Sequence, residues 1–251
     1  MKTIDKLLSV PVIIKNYIIK QYIGKVSNEE EKFTIIYKSG FWAGYKFKNK
    51  SGSGSSLSAT TNIRNELSVF LREYDIKSIF DVPCGDFNWM SELELEYVDY
   101  IGGDIVKELV SVNQNKYANN NKFKFLHFDL LRDELPHVDI IFIRDLFIHL
   151  SNEQVSLIMS KVLSSKIRYI ITTTYPELKE NKSVSNGDRW RKINLEIMPF
   201  NLPKPMLYLD DSWSEDKVHS EKKMGVWKIL DLIKTIEINN NKYFTNKASN
   251  G

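Results

Sequence analysis

Two acidic strand ends, 23 residues apart, constrain this chain more than any other feature. The run Ser78-Ile-Phe-Asp81-Val-Pro-Cys84-Gly85-Asp86-Phe87-Asn88-Trp89 is an apolar strand that enters a glycine-bearing turn through an aspartate. Tyr97 to Asp104 is a second strand that also ends in an acid. A strand, a glycine turn and an acid about 20 residues further on are the parts from which a βαβ unit builds a nucleotide-sized crevice. Later strands end alike: Phe123 to Asp129, then Val138 to Arg144 with Asp145 following. In a parallel sheet the carboxyl ends line one edge, so these side chains fall around one crevice.

The rest of the chain fits that frame. Ile63, Leu67, Phe70 and Leu71 recur at helical spacing over 60–74, and Ser151 is placed to cap a helix running to Leu163. Further helices are expected from about Asp86 and around Val106, Leu109, Val110 and Val112. Ile167 to Thr173 reads as a fifth strand, and Met206 to Asp210 and Val226 to Leu232 as two closing strands in an antiparallel pair. β-branched strands separated by helices predict an α/β fold, a mostly parallel seven-stranded sheet with helices on both faces.

Residues 1–50 stand apart as an N-terminal helical arm, and 51–251 form the main domain. The arm gathers Leu7, Leu8, Val10, Val12, Ile13, Ile14, Tyr17, Ile18, Ile19, Tyr22 and Ile23 around Lys6, Lys15 and Lys20. Such a segment packs on the main domain or on a second subunit, giving a homodimer; an amphipathic helix on a membrane surface is the other reading. The Gly/Ser-rich run from Ser51 suits a linker or a flexible lid. The proline-bearing stretch 175–205 reads as a loop insertion that forms an acceptor site.

Charge and cysteine usage exclude several classes. A net charge of +3 on 251 residues does not suit a nucleic-acid binder. One cysteine excludes an intrachain disulfide and a multi-cysteine metal site, which fits a reducing cytosol and a cytoplasmic location. No apolar run reaches the roughly 20 residues a transmembrane helix needs. Pro11 and Lys15 interrupt the N-terminal apolar run, so it is a poor signal peptide. No metal-ligand motif is visible.

The turn composition narrows the ligand. A dinucleotide requires G-x-G-x-x-G, yet here a single glycine is followed by Asp86, where a phosphate would sit. No P-loop occurs either. A phosphate-free, cationic nucleoside such as S-adenosylmethionine (SAM) tolerates this turn, because carboxylates near its positive groups help binding.

As an ordered set these segments resemble the class I SAM-dependent methyltransferases. Asp81-Val-Pro-Cys-Gly85-Asp86 resembles the motif after strand one, Asp104 the ribose-binding acid of strand two, Phe128-Asp129-Leu130 the segment beside the adenine amino group, and Asp139-Ile-Ile-Phe-Ile-Arg-Asp145 the motif after strand four. Pro83-Cys84 with one glycine departs from the usual Gly-x-Gly. A narrower resemblance runs through Gly52-Ser-Gly-Ser-Ser-Leu57, Thr61-Asn-Ile-Arg64, Arg144-Asp-Leu-Phe-Ile-His149 and Trp190-Arg191-Lys-Ile-Asn194-Leu195. It points to bacterial methyltransferases associated with capsule and other surface-glycan gene clusters.

The resemblance implies a Rossmann-like fold and a set of roles. Asp104 would hold the ribose, Asp129 and Leu130 the adenine, with Ile105 packed on the ring. Gly85 would let the backbone approach, while Asp81 and Asp86 face the amino-acid end. Cys84 adjoins the site as a small buried turn residue, and Arg64 could reach the methionine carboxylate. His149 is the first candidate for a general base and Asp145 the second. Arg144 could fix an anionic acceptor, or be taken up in a salt bridge to Asp145 or Asp86. Trp190, Arg191 and Asn194 would bind the acceptor, and Lys222-Lys223 reads as plain surface. The expected activity is SAM-dependent O-methyl transfer, with S-adenosyl-L-homocysteine as the other product. The acceptor would be a sugar hydroxyl, uronate carboxylate or phosphoramidate of a capsular or surface polysaccharide or its precursor. An NAD(P)-dependent sugar oxidoreductase and a non-catalytic SAM-binding scaffold are the alternatives.

Overall fold

Ile140–Ile143 (β4) is a run of four apolar residues with no exposed surface, and Ser78–Asp81 (β1) is nearly as deep. Short strands buried on both faces belong in the middle of a parallel sheet. The computed structural model, which describes residues 12–42, 51–182, 184, 190–213 and 220–236, places them there. The other strands are Asp99–Asp104 (β2), Phe123–His127 (β3), Tyr169–Thr174 (β5), Leu207–Asp210 (β6) and Lys223–Lys228 (β7). The seven-stranded sheet has the order β3-β2-β1-β4-β5-β7-β6. β1 to β5 are parallel, and β7 is antiparallel to both β5 and β6. The chain moves outward from β1 to β3, then returns to the other side of β1 as β4. That reversal opens a crevice at the carboxyl ends of β1 and β4.

Alternation along β1 feeds two cores, one on each face. Ile79 joins Ile63, Leu67, Phe70 and Leu71 of Thr61–Glu73 (α3), whereas Phe80 joins Val155, Ile158 and Val162 of Asn152–Leu163 (α5). α5 begins at a capping box in which Ser151 accepts from Gln154 N and the Gln154 side chain accepts from Ser151 N. Lys107–Lys116 (α4) follows β2.

The N-terminal region contains Val12–Ile23 (α1) and Glu29–Ser39 (α2). They pack through Ile19, Ile23, Ile35, Ile36 and Phe41. α2 is tied to α4 by Lys107–Glu30 at 3.0 Å and Lys38–Glu108 at 3.1 Å, so it lies on the main body of its own chain. Residues 1–11 and 43–50 of the expected arm lie outside the described residues, as does the tail from 237.

Two expectations are corrected. No α-helix starts at Asp86; only a short 3-10 turn, Met90–Glu92, lies between β1 and β2. Phe87 takes a left-handed backbone (φ 56°) and buries its ring against Tyr100, Tyr117, Phe123 and Phe125. Aromatic anchoring, not a helix, makes that crossover. The last strand is Lys223–Lys228, with helix over 229–236. The apolar pattern of 226–232 fused the end of a strand with a helix face carrying Ile229 and Leu232.

β2 carries Gly102-Gly103 because its neighbours leave no room. A Cβ on Gly103 would sit 2.7 Å from the Phe80 ring, which is fully buried. Gly103→Ala is therefore expected to cost about 1–3 kcal/mol by overpacking. A urea titration should show a lower midpoint with an unchanged slope.

Candidate functional site

The turn after β1 is held from three sides. Cys84 N donates to Gly103 O at 2.9 Å, and Gly85 N to the Asp104 carboxylate at 3.2 Å. Asn113 of α4, buried, donates Nδ2 to Gly85 O at 2.8 Å. From the Gly/Ser-rich run, Ser51 Oγ accepts from Asp86 N at 2.9 Å. Gly85 has φ 55°, and a Cβ there would sit 3.0 Å from Ser51 Oγ. The position therefore suits only glycine.

The carboxylates at the two strand ends are buried. Burial pushes Asp81 up to about 7, opposed by the Tyr100 hydroxyl, which donates to it at 2.7 Å, and by Arg144. Burial likewise pushes Asp104 up to about 6, opposed by the backbone N–H groups of Val106 and Gly85. Asp86 is raised by burial too. Cys84 is buried and its thiol is pushed well above the ordinary range, which suits the packing role.

Across the crevice lies a buried ion cluster. Arg144 grips Asp211 with Nε at 3.0 Å and Nη2 at 2.9 Å, and donates Nη2 to Gly54 O at 2.9 Å. Its guanidinium also lies over the Trp89 ring, 5.3 Å from the centroid. Lys222 bridges Asp145 and Asp211, each at 3.1 Å. Lys222 is thus not plain surface; only 5% of its side chain is exposed. Asp145 adopts φ 57°, a strained backbone for a residue with a side chain. Desolvation by itself would raise its pKa, yet Lys222 and Arg144 outweigh it and hold the carboxyl well below the usual range.

These two halves face one cavity of about 340 Å³. Asp81, Cys84, Gly85, Asp86, Asp104, Ile105, Asp129, Leu130, Arg144, Asp145, His149 and Trp190 all line it. Arg64, Arg191 and Asn194 are not among its lining residues. Arg64 donates to Leu57 O; Arg191 to Leu150 O and the Asn152 side chain; Asn194 to Pro176 O and Leu178 O. His127 lies 3.1 Å from Ile105 O, outside the lining.

Sequence reasoning missed the roof. α2 and the residues just after it contribute Glu29, Phe33, Tyr37 and Trp42. Trp42 stacks on His149, with ring centroids 4.9 Å apart and planes 24° from parallel, and Phe33 meets the same ring edge-on. Trp89 and Trp213 also line the cavity, so four of the five tryptophans in the chain converge on it. Their scatter along the sequence was the one available signal. Asp211 and Lys222 carried none, because they flank β6 and β7, 67 and 78 residues downstream of Arg144, and meet it only across β5 in the folded sheet.

No protein-family model and no curated protein matches the sequence. Solved structures do match. The methyltransferase domain of a bacterial Hen1 protein (CtHen1) aligns over 68% of this chain and 99% of its own, at 14% identity and a TM-score of 0.50. The N-methyltransferase NodS from Bradyrhizobium japonicum aligns over 70% and 98%, at 7% identity and a TM-score of 0.52. Human N-acetylserotonin methyltransferase, in complex with SAM, aligns over 79% and 56%, at 10% identity and a TM-score of 0.50. The fold is therefore the Rossmann-like fold of the class I methyltransferases, as expected.

The buried Asp81 yields a pH prediction. Its folded pKa, about 7, lies above the ordinary 3.8, so the folded protein keeps a proton that the unfolded chain releases. That stability is present at acid pH and lost as pH rises through 7. Asp81→Asn should gain stability relative to the wild type between about pH 5 and about pH 8, read as the difference in urea midpoints. A pH-independent difference would contradict the assignment.

Proposed function

We propose that the chain is a SAM-dependent O-methyltransferase acting on a small polar acceptor of the sugar type. The carrying observation is the cavity's charge. Among its described lining residues are the acids Glu29, Asp81, Asp86, Asp104, Asp129 and Asp145, against the cations Arg144 and Lys222. Such a wall, around a one-glycine turn, fits a cationic nucleoside without phosphate and disfavours a dinucleotide.

In this reading Asp104 would hold the ribose hydroxyls and Asp129 the adenine amino group, with Ile105 and Leu130 against the ring. Gly85, Asp81 and Asp86 would face the amino-acid end. Bound there, the cofactor supplies an electrophilic methyl group on a sulfonium. The chain's residues align the acceptor with it and manage the acceptor's proton. His149 is the base. Asp145 is unsuited, because two cations hold it ionised. Trp42 fixes the imidazole by stacking, and Trp190 and Trp213 offer flat apolar faces that suit a sugar ring. Arg144 is already engaged by Asp211 and Gly54, which favours a hydroxyl acceptor over a carboxylate or phosphoramidate. A capsular or surface glycan precursor is the acceptor class that the sequence resemblance supports.

Two experiments test this. Titration calorimetry should show SAM or S-adenosylhomocysteine binding and NAD binding much more weakly. Asp104→Ala should lower that affinity about tenfold to a hundredfold, the loss of charge-assisted hydrogen bonds; the reverse ligand ranking would end the reading. With methyl-labelled SAM and a panel of nucleotide sugars, His149→Ala should reduce turnover about a hundredfold or more at unchanged cofactor affinity. Full turnover would remove its role as base.

A further inference from the structure

The outer face of α1 is apolar and exposed. Ile14, Tyr17, Ile18 and Tyr22 are 51%, 65%, 40% and 54% exposed, at the i, i+3, i+4, i+8 spacing of one helix stripe. Gln21 is its polar member. The opposite face carries Ile19 and Ile23, buried against α2. At about 100° per residue, Lys15 and Lys20 fall at the two margins of the stripe. Lys25 follows, and residues 12–28 contain no Asp or Glu. Lys15, Lys20 and Lys25 are the only charges from residue 12 to residue 28, and the next charged residues, Glu29, Glu30 and Glu31, open α2.

We infer that α1 docks this protein on an anionic lipid surface, its apolar stripe in the headgroup boundary and its lysines among the headgroups. An apolar stripe edged by lysines, with tyrosines on it, is how interfacial helices bind. Charge complementarity favours lipid over a second copy. In a two-fold contact through this face, the lysine-edged margins of both copies would border one seam, and residues 12–28 supply no acid to pair them. No helix among the described residues is long and apolar enough to cross a membrane, so docking would be peripheral. Its consequence is positional. α1 packs on α2, and α2 walls the cavity with Phe33 and Tyr37. Docking through α1 would therefore hold the cavity close to the lipid surface.

The inference goes beyond the methyl-transfer reading and its test needs no cofactor. The full chain is sedimented with phosphatidylcholine vesicles, and with vesicles containing about one-third phosphatidylglycerol. Binding to the anionic vesicles should be about tenfold stronger or more, and should weaken at high salt. Tyr17→Ser with Ile18→Ser should abolish it, leaving Ile19 and Ile23 in place. Lys15→Gln with Lys20→Gln, which leaves the apolar stripe intact, should bring binding down to the level on neutral vesicles. Absence of wild-type binding, or binding unchanged in both double variants, overturns the proposal. So does a stable dimer that binds no vesicles and that Tyr17→Ser with Ile18→Ser dissociates, since a second copy would then occupy the face.

Discussion

The grip of Arg144 on Asp211 organises this molecule around its crevice. It joins the end of β4 to the segment after β6, and the same guanidinium holds the Gly/Ser-rich run through Gly54 O. Lys222 then ties Asp211 to Asp145. Burying four charges is costly unless each is matched, and here two cations meet two carboxylates. Such a cluster sets geometry more than it adds stability. It keeps Asp145 ionised in a strained backbone.

The opposite wall works by a different economy. Asp81 and Asp104 are buried without a paired cation in contact, and burial raises both towards neutrality. Each is satisfied by a neighbour's hydrogen: the Tyr100 hydroxyl for Asp81, backbone N–H groups for Asp104. Carboxylates in that condition are ready to ionise when a positive group arrives. One side of the cavity is thus electrostatically closed and the other open, a division that agrees with a cationic cofactor on the β1–β2 side and an acceptor beside β4.

How much of this was legible depended on range. The strand-turn-acid pattern at Asp81, Gly85 and Asp104 was readable because strand termini and a positive-φ glycine leave local marks. His149 and Trp190 also line the cavity; one closely follows a strand end and the other sits in a polar loop. Arg64, Arg191 and Asn194 were proposed from motif position and are instead engaged with nearby backbone carbonyls and side chains outside the lining. The expected helix at Asp86 failed because Phe87 supplies a buried anchor whose partners lie up to 38 residues away.

By itself, then, the sequence determined the parallel sheet, the crevice at its carboxyl edge and the acidic glycine turn that lines it. Hydrophobic periodicity and turn chemistry are local, and they suffice for those. Only the tertiary structure decided that α2 and Trp42 roof the cavity, that Lys222 is buried, and that Asp211 is the partner of Arg144. Those contacts pair residues far apart in the chain, and nothing short of the sheet's reversal and closing strands brings them together.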